Sequence, residues 1–321
     1  MNYNWNCSSP VQKVEMTMLK NRDEIQATLI EAFKAADPLG SRFGRVFRES
    51  FDQIYDGQHT GRFSVNQLSK TEAAHLGSVV EINIRREFRD IIEDGEAMDF
   101  SIEGHEVDCK YSKRPFGWMI PIEALGHYGM LCHADDEKAT FRVGFLHLDE
   151  AFLNQGGNRD RKRTVSKDGR QNISWLHYDA PLPPNTLLQL GQTARNRILS
   201  QRSGAARLNE LFRSAREMII PRGIIATVAQ QKDYMKRIRY NGGSRSVLQE
   251  EGIIILGDYK RHQEIASTLE IPVPRQGETV SVRVAPHNAG DTEPFFQIGS
   301  QRWRKAREGE TPITAPIVPY S

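Results

Sequence analysis

Asp108 and Lys110 stand two residues apart in the stretch EGHEVDCKYS, residues 103–112. In a β-strand Val107, Cys109 and Tyr111 point to one side and Asp108, Lys110 and Ser112 to the other, so a carboxylate and an ammonium share a face. A two-residue turn at Glu103-Gly104, with glycine supplying a positive φ, would fold the preceding residues back as a hairpin. That register sets Asp99 directly across from Asp108. Cross-strand neighbours have Cβ atoms about 5 Å apart, and like charges there destabilise the sheet. Such a pair calls for a neutralising partner. Lys110 is one candidate; a divalent cation is a better one, because Mg²⁺ binds through one or two carboxylates and completes its shell with water and phosphate oxygens. This chemistry suits phosphodiester hydrolysis. The metal polarises a phosphoryl oxygen and acidifies water, while Lys110 positions the nucleophile or stabilises the charge building on the phosphorane. Glu81, upstream, could hold a second metal or orient a water. An Asp-x-Lys pair by itself is common and also fits a surface ladder on an exposed sheet. The facing Asp99 and the helix carboxylate upstream favour a site.

The elements that must position these groups follow from periodicity. DEIQATLIEAFKAAD, residues 23–37, spaces Ile25, Leu29 and Phe33 along one helical stripe. Asp37-Pro38-Leu39-Gly40 breaks it. A second helix carries Phe43, Phe47, Phe51 and Ile54 and can end at Gly57. A third starts at Ser69, where Glu72 three residues on makes a capping box. Its inner stripe is Ala73, Leu76, Val80 and Ile84, with Glu81 near the buried edge. Residues 97–103, 105–112, 117–122, 126–134 and 140–149 then read as strands. Helices followed by a mostly antiparallel sheet predict an α+β or α/β first domain.

At 321 residues the chain is longer than one core usually holds, so two domains are expected. Hydrophobic residues make up 38% and charged residues 26%, an ordinary globular balance, and the formal net charge of +2 identifies no partner. Local charge says more. Nine acidic residues against one basic run from Glu87 to Asp108, six basic against two acidic from Gly156 to Arg170, and five against one from Lys232 to Arg245. One acidic pocket and two basic stretches fit a polyanion bound around a metal site, although any single run also reads as a solvated face. The polar stretch near residue 160 marks the boundary: a first domain at 1–160, a basic linker at 161–172 and a second domain at 173–321. In the second, Leu208, Leu211, Phe212 and Ala215 form an amphipathic stripe. Two further helices follow, in RGIIATVAQQ and KDYMKRIRYNGG, and then short strands, an order that resembles a winged helix-turn-helix layout and fits a small α+β accessory domain as well. Cys7, Cys109 and Cys132 show no C-x-x-C pairing, which argues against a disulfide framework and against structural zinc. His127, Cys132 and His133 read as strand residues. The polar opening MNYNWNCSSPVQ has no apolar core, so no signal peptide is expected, and no apolar run is long enough to span a bilayer. A cytoplasmic protein is expected.

D-(x)8-D-C-K resembles the PD-(D/E)xK nuclease core. Over nearly the whole chain the strings FDQIYDGQHTGR, KTEAAHLGSVVEINIRREF, VDCKYS, ARLNELFR, IIATVAQQKDYMKRIR, GGSRSVLQEEGIIILG and PVPR resemble the NaeI family of restriction endonucleases. The resemblance implies an N-terminal endonuclease domain and a C-terminal DNA-binding domain of the catabolite-activator type. It also implies a homodimer, a Mg²⁺-dependent double-strand cut in duplex DNA, the target GCCGGC, and type IIE activation by a second bound copy of that site. Carried over by position, Asp99, Asp108, Glu81 and the Cys109 backbone carbonyl are its metal ligands, and Lys110 its catalytic lysine. Lys232, Lys236, Arg237, Arg239, Ser244 and Arg245 fall where its DNA-binding helices lie. Met98 stands where the general nuclease motif has proline. A DNA-binding regulator with an inactive nuclease-like core is the alternative from another class, and a nuclease without sequence preference is a third.

Overall fold

Apolar residues at helical spacing build the first layer. In this computed structural model, which describes residues 10–320 (side chains from residue 22 on), helices span Pro10–Ala36, Ser41–Tyr55 and Lys70–Glu87. The Asp37 carboxylate accepts the Arg42 and Phe43 N–H groups at 2.9 and 3.1 Å, so the expected break also caps the next helix. Ser69 and Glu72 form the expected reciprocal capping box. Leu29, Phe33, Phe43, Phe47, Phe51, Leu76, Val80 and Ile84 are all buried. Cys7 and most of the polar opening segment lie outside the described residues.

These helices pack on a six-stranded sheet ordered β1 (Glu93–Asp94), β2 (Phe100–Ile102), β3 (His105–Ser112), β4 (Tyr128–Asp135), β5 (Thr140–His147) and β6 (Ser174–Pro181). Only β3 and β4 run parallel; the other four pairings are antiparallel. Phe33 and Phe47 meet Phe145 and Phe141 of β5 at 5.7 and 5.3 Å between ring centroids. Leu131 and Leu146 face the opposite way, into a second cluster with Trp118, Ile120, Leu148, Leu153, Val165 and Ile173. With both faces covered, β4 is buried along nearly its whole length.

Two expectations are corrected here. Residues 117–122 form no regular strand: Ile120 makes one isolated bridge to Arg163, and Ile122–Ala124 is a single 3₁₀ turn. The division of the chain also falls elsewhere. The basic stretch is an excursion pinned back by Leu153↔Val165 and Ile120↔Arg163, and β6 then pairs with β5. Gln26 ties that edge down by hydrogen bonds to Ser174 and to the His147 N–H. Among the described residues, the first unit therefore comprises 10–51 and 69–183, and the second 52–68 and 184–320.

The second unit places helices Gly204–Ser214, Arg222–Ala229, Ser244–Gln249 and Lys260–Thr268 with five antiparallel strands, β7 (Ile220–Pro221), β8 (Ile253–Leu256), β9 (Glu278–Pro286), β10 (Phe295–Ile298) and β11 (Gln301–Lys305). The expected helix in KDYMKRIRYNGG is only a 3₁₀ segment, Tyr234–Ile238, and the true third helix starts at Ser244. In the apolar run of β8, Ile253 and Ile255 enter one cluster with Leu208, Leu211 and Phe212. Ile254 and Leu256 enter another with Ile265, Val280 and Trp303. Among the described residues no helix is long and apolar enough to cross a membrane.

The last residues strap across the second unit. Gln249 and Ala315 exchange two hydrogen bonds at 2.8 and 2.9 Å, and Val318 donates to the Tyr240 hydroxyl. Beneath Tyr320 lies His262, fully buried, its Nδ1 accepting the Gly257 N–H at 2.9 Å. Burial, reinforced by the Arg245 cation, pushes His262 down to about 4. The imidazole is therefore neutral in the fold. The stability it carries is complete above its ordinary value, about 6.5, and drains away as pH falls towards 4, by up to about 3 kcal/mol. Urea midpoints for the second unit should drop steeply between pH 6.5 and 4. His262→Gln, which keeps an acceptor for Gly257, should flatten that slope; an equally steep slope in the variant rules His262 out as its source.

Candidate active site

Glu103 and Gly104 both have positive φ, 50° and 74°. This is the backbone of a type I′ turn, whose twist matches that of the strands it joins. The turn fixes the register: Ile102 pairs with His105, Ser101 with Glu106 and Phe100 with Val107. One step further along this register sets Asp99 opposite Asp108, as the sequence predicts. There the Asp99 Oδ2 accepts the Cys109 N–H at 2.8 Å.

Lys110 supplies the nearest positive charge. Its Nζ lies 2.5 Å from Asp108 Oδ1 and 3.7 Å from Asp99 Oδ2, and donates to the Cys109 carbonyl at 3.2 Å. The other Asp108 oxygen, Oδ2, is buried and has no hydrogen-bond partner among the described residues. Burial raises the Asp108 carboxyl above the usual carboxylate range, with Asp99 adding to the effect and Lys110 opposing it. For Lys110, burial pulls downward, but attraction to Asp108 and Asp99 and the hydrogen bond to Asp108 outweigh it, so the ammonium holds its proton more tightly than usual.

Glu81 comes from the helix Lys70–Glu87, about a quarter exposed, as its position one residue after the inner stripe predicts. Burial and then the charge of Asp99 raise its carboxyl; Arg85 and Lys110 pull the other way. Arg85, one turn on, is a residue that sequence reading missed. It pairs with Glu81 at 3.3 Å, donates to the Asp99 carbonyl at 2.9 Å and lies over the Phe100 ring. Its signal was the i, i+4 spacing from Glu81 on one helix face.

Among the described residues no group of three or more His, Cys, Asp and Glu side chains is arranged to hold a metal ion. A magnesium site needs fewer, since one or two carboxylates plus water suffice. Two carboxylates and the Cys109 carbonyl already converge on one positive charge, that of Lys110, and Asp108 has an oxygen to spare. The residues fit a divalent cation. Cys109 and Cys132 are free and buried; Cys132 and His133 lie in β4, with His127 just ahead of it.

The expected DNA-contacting residues separate into two groups. Lys232, Lys236, Arg237 and Arg239 are exposed; Lys236 pairs with Asp233 and Arg237 donates to Gln231. Ser244 and Arg245 are buried, which corrects their assignment to a DNA-facing surface. Ser244 donates to the Arg237 carbonyl. Arg245 donates to the Ile255 carbonyl at 3.0 Å and lies against the Tyr240 and Tyr320 rings. In the first basic stretch, Arg163 pairs with Glu150 and Arg170 covers Phe116.

A family profile described as "Restriction endonuclease NaeI" matches residues 27–314. The type II restriction enzyme NaeI of Lentzea aerocolonigenes is 41% identical over 304 residues, which cover 92% of this chain and 94% of that protein.

Because Asp108 binds a proton more tightly in the fold than in the unfolded chain, its charge costs stability once pH rises through the folded value. Asp108→Asn removes that cost. In chelator at pH 7.5 the variant should melt above the wild type, as measured by calorimetry; a lower melting temperature would contradict the electrostatics described for this site.

Proposed function

The chain belongs to the NaeI family of restriction endonucleases and is a site-specific type II enzyme of that family; on that footing we propose that it cuts duplex DNA by magnesium-assisted hydrolysis at Asp99, Asp108 and Lys110. One observation carries the assignment of the site: three oxygens meet at the Lys110 ammonium, and Asp108 keeps a second oxygen buried without a partner among the described residues. Asp99, Asp108 and the Cys109 carbonyl would hold the cation, with Glu81 beside them. When bound, magnesium supplies Lewis acidity towards the phosphoryl oxygens and the attacking water. Lys110, held protonated by its two aspartates, neutralises negative charge as it builds on the phosphorane. Glu81, with its proton affinity raised, orients the water. Arg85 keeps Glu81 and the Asp99 main chain in fixed relation.

The mixed sheet with its adjoining helix Lys70–Glu87 supports reading the first unit as a PD-(D/E)xK core. Helices Gly204–Ser214, Arg222–Ala229 and Ser244–Gln249, followed by the antiparallel β8 and β9, support a winged helix-turn-helix reading of the second. There the exposed Lys232, Lys236, Arg237 and Arg239 contact DNA phosphates. A palindromic site has two equivalent scissile phosphates, so a two-fold homodimer brings one active site to each. The target is GCCGGC, and a second copy bound by the second unit activates cleavage. The enzyme works in the cytoplasm, where its DNA substrate is.

Incubated with Mg²⁺, a plasmid carrying two GCCGGC sites should give discrete fragments, and chelator should stop the reaction. A one-site plasmid should be cut more slowly until short duplexes containing the site are added. Equal rates that ignore added duplex would remove the effector model while leaving the nuclease assignment intact. Asp108→Ala should abolish cutting and leave salt-sensitive DNA binding in place. Binding without cleavage by the wild type under any divalent metal would favour the regulator reading instead.

A further inference from the structure

We infer that Glu106 is the positioning residue that fixes Asp99 for cleavage, its carboxylate clamping the loop immediately ahead of that aspartate. The inference rests on the reading of Asp99 and Asp108 as the cleavage site. Glu106 lies on β3 opposite Ser101, two residues before Asp108. Its Oε1 accepts the Glu96 N–H at 3.0 Å, and its Oε2 accepts those of Ala97 and Met98 at 3.0 and 2.7 Å. Three successive peptide N–H groups thus converge on one carboxylate, an anion-binding nest filled from within the chain. These bonds hold the Glu106 carboxyl below the usual carboxylate range.

The loop has reason to need this clamp. Residues 95–99 lie between β1 and β2 and belong to neither, so no sheet ladder takes up these N–H groups. The chain also curls tightly around the carboxylate. A Cβ on Gly95 would lie 2.3 Å from the Met98 carbonyl oxygen and 2.9 Å from Glu106 Oε2. Methionine at 98 now has a physical reason, because proline has no N–H and would delete the shortest of the three bonds. Asp99 is consequently restrained from three directions. Glu106 holds the peptides before it, Arg85 holds its carbonyl, and the Cys109 N–H holds its carboxylate. Glu106 is not itself a catalytic residue, since three of its roughly four acceptor positions are committed to the loop.

The test compares full-length wild type, Glu106→Ala, Glu106→Gln and Asp108→Asn. The readouts are single-turnover cleavage, DNA affinity, and metal-free amide hydrogen exchange across residues 95–100. Groups that orient metal ligands typically account for about 10- to 100-fold in metal affinity or activity. Glu106→Ala should lose cleavage rate by that factor, keep its DNA affinity, and exchange the amides of Glu96, Ala97 and Met98 faster. Glu106→Gln retains one acceptor oxygen and should fall between it and wild type, which keeps the test sound where the alanine variant folds poorly. Faster exchange with wild-type cleavage, or unchanged exchange, overturns the clamp. If Asp108→Asn is dead while Glu106→Ala cuts at the wild-type rate, only the clamp fails. If Asp108→Asn also cuts normally, the reading of the site itself has failed.

Discussion

Two aspartates brought face to face by a hairpin form an arrangement that a sheet ordinarily avoids. Like charges about 4 Å apart repel by about 4 kcal/mol at an effective dielectric of 20. Much of the surrounding structure bears on that repulsion. Lys110 sits between the pair, Cys109 donates its N–H to one of them, and Arg85 anchors the main chain of Asp99. Burial works against all of this by raising Asp108. A fold selected for stability alone would replace one aspartate with a neutral residue. Retaining both carboxylates makes sense where a cation is to be held.

The same logic separates the cations of the second unit by what each one touches. Arg237 and Arg239 keep their guanidinium groups at the surface, where a phosphate backbone can reach them. Arg245 occurs in the same basic run and spends its donors on the Ile255 carbonyl and the Tyr320 hydroxyl. Arginine serves both purposes because its planar fork can satisfy fixed acceptors while its face stacks on aromatic rings. Charge counted along a sequence therefore overstates the charge that a partner meets.

Much of the first unit was legible because local rules and burial agreed. The Ser69 cap, the phenylalanine spacing and the two-residue turn each point to one answer, and the hairpin register follows from the last of them alone. What was hidden depends on distant pairing. β6 reads as the start of a new domain because its partner β5 precedes it by a long polar excursion. Residues 52–68 count with the second unit although the first four of them complete the helix Ser41–Tyr55. Ser244 and Arg245 look like surface residues, since nothing local shows that the Arg237 carbonyl will hold the first or that Ile255 and Tyr320 will hold the second. Glu106 was missed for another reason: its partners are backbone N–H groups, which leave no trace in residue identity. Arg85 left one trace, its spacing from Glu81, while its bond to the Asp99 carbonyl left none.

The Glu103-Gly104 turn is exposed, and exposed turns are usually where proteins absorb insertions and deletions most freely. This one has no such licence. Adding or removing a single residue would shift one strand against the other, turning Asp99 to the opposite side of the hairpin from Asp108. Phe100, Ile102 and Val107, all fully buried on this hairpin, would be turned out of the core by the same slip. Homologues that drift in loop length everywhere else should hold this two-residue connection constant, so that an indel at the surface behaves like an active-site substitution.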